Sequence, residues 1–173
     1  MDYSKYILHL LQDQKSNRKN TKGKIITFIF RASSYQSKNI VTKVFTKSNR
    51  FVYKVLIEYL LGIELPYNTK VGKGLTLYHG QSLVVHKHTI IGDNCTLRQS
   101  TTIGNNGKTK ECPIIGNGVN IGANVCIIGP VIIGNNVDIG AGSVVVNNIP
   151  DFAVVVGNPA RIIRIKEVNT YDN

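Results

Sequence analysis

Four histidines (His9, His79, His86, His88) and three cysteines (Cys95, Cys112, Cys126) carry the most reactive side chains of this chain. A histidine titrates near neutrality, so it can take a proton from a hydroxyl as the oxygen attacks a carbonyl. His79, in Leu75-Thr76-Leu77-Tyr78-His79-Gly80, has the setting that points to this role, because it stands where a sequence repeat loses its register. His86 and His88 flank a turn of that repeat and read as surface groups. A zinc enzyme needs three ligands converging on one ion; His79, His86 and His88 crowd one short stretch, and no histidine follows them. The cysteines are odd in number with no Cys-x-x-Cys spacing, which speaks against a disulfide framework and a structural zinc alike. Cys95 reads as core, Cys112 and Cys126 as unpaired thiols. Neither a serine on a nucleophile elbow nor a Cys–His pair stands out.

The elements that must position His79 are of two kinds. The chain has 173 residues, 42% hydrophobic and 18% charged, which excludes a disordered chain and allows one core with an appendage. Residues 1–62 hold twelve Lys or Arg against three acids, whereas residues 63–173 hold nine against seven. All five prolines and fourteen of sixteen glycines lie in the second part, so the boundary falls near Gly62. The first part reads as helical. Tyr3, Tyr6, Ile7, Leu10 and Leu11 recur at helical spacing, as do Phe51, Val55, Leu56, Tyr59 and Leu60, with Gly62 as a C-terminal cap. Shorter helices are expected at Ile25–Phe30 and Ile40–Phe45, with a loop over Ser16–Lys24. The excess positive charge fits solvated helix faces or a basic amphipathic surface on anionic lipid. No run is long and apolar enough to span a bilayer, no signal peptide is evident, and nothing resembles a nucleic-acid reader, so a cytoplasmic protein, with membrane association through the basic helices kept open, is expected.

The second part repeats every six residues. Ile115, Ile121, Ile127, Ile133, Ile139 and Val145 are all β-branched, and glycine follows at 116, 122, 134 and 140. Four residues after each aliphatic comes a small or β-branched one: Val119, Val125, Val131, Val137, Ser143. The pattern extends back through Val71, Leu77, Val85, Ile91, Leu97 and Ile103. A period of six is neither helix nor plain strand; it is a short strand plus a turn, the hexapeptide pattern of a parallel β-helix. The glycines are expected to supply turn dihedrals with positive φ. Register is lost twice: two extra residues sit around His79-Gly80-Gln81-Ser82, and the stretch from Gly104 to Pro113 lacks an aliphatic, so a loop over 104–114 is expected. Loops on a rigid scaffold tend to carry function.

With IGDNCTLRQSTTIGNNGK, IGNGVNIGANVCIIGPVIIGNNVDIGAGSVV and IPDFAVVVGNPARII on the page, the sequence resembles the left-handed β-helix acyltransferases of the hexapeptide-repeat superfamily, and within them the serine acetyltransferase branch. GIELPYNTKVGKGLTLYHG is similar to the offshoot associated with capsule and exopolysaccharide synthesis. The resemblance covers residues 62–165 well and 1–61 loosely. It implies a mainly β fold: basic helices over 1–62, a left-handed β-helix over 63–150, and an extension over 151–173. It also implies a homotrimer with active sites between subunits. His79 matches the catalytic histidine and Glu64, fifteen residues upstream, its carboxylate partner, orienting the ring and stabilising the imidazolium. Acetyl-CoA is the implied donor, held at Gly104, Gly122-Ala123 and Gly140-Ala141, with Arg161 and Lys166 near its phosphates.

Two departures bear on the acceptor. Tyr78 replaces the family's Asp before the histidine, and Glu111-Cys112 replaces an Arg-His pair before Pro113. The replaced groups recognise serine's ammonium and carboxylate, and Glu111 has the wrong sign for a carboxylate. A saccharide hydroxyl is therefore the expected acceptor, with Tyr78, Glu111 and Cys112 lining its site and no metal involved. A serine O-acetyltransferase, a non-catalytic trimeric scaffold and an N-acetyltransferase on an amino sugar are the alternatives.

Overall fold

A computed structural model describes residues 3–36 and 40–167 of the chain. The helical part comprises α1 (Tyr3–Leu11), α2 (Thr21–Ser34) and α3 (Ile40–Tyr53), followed by a π-helical segment, Lys54–Leu60. The internal helices run longer than their apolar spacing suggested, because tertiary packing extends them: α2 buries Ile26, Thr27, Phe30 and Arg31. The loop ends at Asn20, whose side chain caps α2 by accepting from the Gly23 amide, so Thr21–Lys24 is helix instead. The final helix changes gauge: the Leu61 amide donates to the Leu56 carbonyl, five residues back, at 3.0 Å. Gly62 at φ +62° ends it, as the cap reading expected.

From Ile63 the chain winds as a left-handed parallel β-helix of about five coils. The first coil is β1 (Ile63–Glu64), β2 (Lys70–Val71) and β3 (Thr76–Tyr78), and the second is β4 (Leu83–Val85), β5 (Ile90–Ile91) and β6 (Thr96–Arg98). The third is β7 (Thr102–Gly104), β8 (Ile114–Ile115) and β9 (Asn120–Ile121), and the fourth is β10 (Cys126–Ile128), β11 (Ile132–Ile133) and β12 (Asp138–Ile139). The last comprises β13 (Val144–Val145), a bridge at Ile149 and β14 (Ala153–Gly157), onto which β15 (Ala160–Ile165) folds back antiparallel. Strands stack into three faces, β1-β4-β7-β10-β13, β2-β5-β8-β11 and β3-β6-β9-β12-β14-β15. The hexad aliphatics fill the prism: Leu77, Leu97, Ile103, Ile121 and Ile127 are fully buried, and so are Cys95, Val119 and Val137 at the fourth position.

An undisturbed coil takes 18 residues, as Val85 beside Ile103 and Ile127 beside Val145 show. Ile63 pairs with Leu83, so two residues are extra, and they fall at 79–82. Ile103 pairs with Ile127, so six are extra, and they form the loop between β7 and β8. The glycine after each aliphatic works differently from expectation. Gly116, Gly122, Gly134 and Gly140 do not have positive φ; the left-handed residues are two further on, at Gly118, Asn124, Asn136 and Gly142. Their role is close stacking: a Cβ on Gly122 would lie 2.5 Å from the Ala141 amide, and one on Gly116 would lie 2.8 Å from the Gly134 carbonyl.

The helical part caps the exposed edge of β3. The Leu75 amide donates to Asp13 Oδ1 (2.9 Å), the Leu77 amide to Asn17 Oδ1 (3.2 Å), while Asn17 and Asn20 Nδ2 donate to the Leu75 and Leu77 carbonyls (2.7 Å each). Arg31 binds Asp13 at 2.7 Å and donates to the Val71 and Gly72 carbonyls. A strand edge that would otherwise offer free amides is thereby closed. It is the strand that ends at Tyr78 and leads into His79.

Candidate active site

The three edges of the prism sort the candidate residues. The chain crosses from the third face to the first at 79–82, 99–101, 122–125 and 140–143. His79 therefore shares one edge with Gly122-Ala123 and Gly140-Ala141, aligned along the axis at roughly 5 Å per coil. His79 is exposed, at φ +62°, in a turn closed by the Gly80 amide on the Tyr78 carbonyl (2.7 Å). A Cβ on Gly80 would come 3.0 Å from Ile63 Cδ1, so the turn rests on the first coil's core. The same edge ends at the β14–β15 hairpin, where Arg161 is exposed and, among the described residues, donates to its neighbour Ala160's carbonyl alone (3.2 Å). Lys166 lies at the far end of β15, its ammonium 3.3 Å from Asp138 Oδ2.

The crossing from the first face to the second carries a different group: Pro66, His86, Lys87, Gly104, Asn105, Glu111 and Cys112. Asn105 and Asn106 turn the 105–113 loop by accepting from the Gly107, Lys108 and Thr109 amides. Glu111 is exposed, while Cys112 is buried where the loop returns. Cys112 Sγ lies 3.0 Å from His86 Nδ1, a thiol–imidazole pair 26 residues apart that no sequence spacing announced. Burial pushes the Cys112 thiol above its usual pKa, so it stays protonated at neutral pH. A cavity of about 340 Å³ opens here, with Glu64, His86, Lys87 and Asn105 as polar lining and Val84 and Ile103 among the apolar lining.

Glu64 stands on β1 with its side chain outward, between the two edges, and shares no hydrogen bond with His79. Tyr78 points out of the third face, its ring under the Arg98 guanidinium at 5.6 Å. In a single protomer His79 and the Gly104–Cys112 group are thus separated by the width of one face. A larger cleft, about 600 Å³, lies among the helices against Lys43, Lys47, Arg50, Tyr35 and Tyr67. It holds no carboxylate, histidine or thiol and lacks the means for acyl transfer. Among the described residues no three of His, Cys, Asp or Glu come together as a metal site.

Comparison with known proteins agrees with this architecture. A family profile described as Bacterial transferase hexapeptide (six repeats) matches residues 112–147. A protein of Escherichia coli (strain K12) named as a colanic acid biosynthesis acetyltransferase, WcaB, is 36% identical over 162 residues, covering 91% of this chain and 100% of that protein. Serine acetyltransferase 1 of Arabidopsis thaliana chloroplasts is 39% identical over 127 residues, 70% of this chain and 40% of that one. Among solved structures, the soybean serine acetyltransferase apoenzyme superposes with a TM-score of 0.76 at 26% identity, covering 93% of this chain and 71% of that one.

Proposed function

The chain belongs to the hexapeptide-repeat acetyltransferases, and from that premise we propose that it transfers acetyl from acetyl-CoA to a hydroxyl of a saccharide destined for a surface polysaccharide. The observation that carries the acceptor class is the loop: the acidic Glu111 stands with Cys112 before Pro113, the wrong sign for a free amino acid's carboxylate, while the adjoining cavity has the apolar and polar lining that a sugar ring needs. His79 acts as general base. It takes the hydroxyl proton as oxygen attacks the thioester carbonyl; the C–S bond breaks, and the departing thiolate receives that proton. Glu64 stabilises the transient imidazolium. The donor runs along the edge of Gly122-Ala123 and Gly140-Ala141 toward Arg161, whose guanidinium is available for phosphate. Gly104 faces the reacting end.

Because one face separates His79 from Gly104 and Cys112, a complete site requires two protomers. Ile90, Ile114 and Ile132, in register on the second face, are exposed at 37%, 44% and 53%, a stripe that a neighbouring protomer of a homotrimer would cover. Ile114→Lys is expected to lower the mass seen by light scattering and to abolish transfer; full transfer by the separated protomer would refute the shared site. Serine is the second acceptor to test, since the plant relatives are serine acetyltransferases. The deciding assay is CoA release from acetyl-CoA against L-serine and a saccharide panel. Wild-type release with a saccharide, reduced about 10²–10⁴-fold in His79→Asn, is the expected result. Asparagine tolerates the left-handed turn, so loss of activity will not reflect a broken fold. Release with serine alone would overturn the saccharide reading.

A further inference from the structure

The thiol–imidazole pair fixes which way His86 offers its proton. A backbone amide can only donate, and the His88 amide lies 3.3 Å from His86 Nδ1. Nδ1 therefore presents a lone pair, and in the neutral ring the proton sits on Nε2. The protonated Cys112 thiol donates to the same Nδ1, from a buried position at the base of the loop. Two donors on one nitrogen hold the ring in place and disfavour a proton there. Among the described residues Nε2–H has no hydrogen-bond partner, and His86 lines the cavity with Glu64 and Asn105.

We propose that His86 is a specificity-determining residue, donating Nε2–H to an oxygen of the saccharide acceptor in this cavity, and that Cys112 is its positioning residue. The inference rests on the acetyl-transfer reading. It assigns Cys112 a role through His86 rather than as a nucleophile: the thiol is buried, protonated and aimed at a lone pair. The cavity's chemistry suits a polyhydroxylated ligand, since Glu64 accepts, Lys87 donates, Asn105 does both, and Val84 and Ile128 can face a sugar's C–H surface.

The test is steady-state kinetics with the best saccharide acceptor, preceded by the wild-type assay. If wild type acetylates no saccharide, the functional reading fails; the remaining outcomes bear on His86. His86→Ala is expected to raise the acceptor KM about tenfold, the weight of one lost hydrogen bond, with acetyl-CoA KM and kcat little changed. His86→Gln, whose amide nitrogen can reach the Nε2 position, should recover most of the affinity. Cys112→Ala should raise the acceptor KM part-way and, in ¹⁵N spectra of the histidine ring, shift the tautomer balance away from pure Nε2–H; Cys112→Ser should restore both. An unchanged acceptor KM in His86→Ala, or a rise confined to acetyl-CoA, overturns the proposal. So does a wild-type ring protonated on Nδ1.

Discussion

Asn124 and Asn136 sit at φ +58° and +56°, and Gly118 and Gly142 occupy the equivalent place at +66° and +72°. The hexads that start at Ile115, Ile121, Ile133 and Ile139 thus divide two demands between two residues. The residue after the aliphatic must lack a Cβ because the next coil passes against it, and the residue two further on must accept the left-handed region. The sequence shows the glycine column plainly, but its reason was misassigned, because conformational freedom and close approach favour the same residue type. The Asn/Gly column was legible too, once a left-handed position was sought there. These two columns respond differently to substitution. Gly116→Ala places a methyl 2.8 Å from Gly134 backbone that cannot move aside, and is expected to cost about 1–3 kcal/mol or more. Asn136→Gly should be nearly neutral and Asn136→Ala should cost about 1–2 kcal/mol through left-handed strain. Denaturant unfolding of the three variants checks the order; equal effects of Gly116→Ala and Asn136→Gly would contradict the division of roles.

At the level of elements, the coils were readable and the cap was not. A period of six written in β-branched residues specifies stacked strands whatever precedes them, and both register breaks were readable, one as two extra residues at 79–82 and the other as a stretch without an aliphatic. The cap depends on Asn17 and Asn20, inside the stretch Ser16–Lys24 that its composition marks as a loop, and on Asp13 just before it. Their function is visible only when the amides and carbonyls of Leu75 and Leu77 lie opposite, 57 to 62 residues away. Asp13 and Arg31 are 0% and 3% exposed, and each charge is compensated by the other and by backbone groups, with the Gln12 amide oxygen also accepting from Arg31. Removing one partner should therefore be worse than removing both: Asp13→Ala is expected to cost about 3–5 kcal/mol, and Asp13→Leu combined with Arg31→Met considerably less. Because the capped strand leads into His79, Asp13→Ala should also depress kcat at temperatures where the protein remains folded. Circular dichroism melts paired with the CoA-release assay read both effects; a single variant as stable as wild type would remove the cap from the account of how His79 is held.

Across the whole molecule, the positive charge is gathered in the helical part, where α3 and the π-helical segment turn three distinct sides to their surroundings. Thr46, Tyr53 and Ile57 face inward, the Tyr53 hydroxyl donating to the Leu65 carbonyl at 2.6 Å. Lys43, Lys47 and Lys54 form an exposed cationic strip. Phe51, Tyr59 and Leu60 are 72%, 73% and 74% exposed, and Val44, Phe45, Val55 and Leu56 extend that apolar side. The sequence alone left solvated helix faces and a membrane-binding face open, since periodicity marks an apolar stripe without saying whether the core covers it; here the core takes one side of the helix and leaves another bare. Among the described residues no helix is long and apolar enough to cross a membrane. Anionic lipid matches both the apolar side and the adjacent lysines. The full-length protein is expected to co-sediment with vesicles containing phosphatidylglycerol at low salt, to release as ionic strength rises, and to ignore neutral vesicles. Phe51→Ser with Leu60→Ser should abolish binding while leaving transfer to a soluble acceptor intact. Failure to bind anionic vesicles at low salt would rule out the membrane, and a fall in oligomer mass in the same double variant would show instead that a second copy of the chain covers this face.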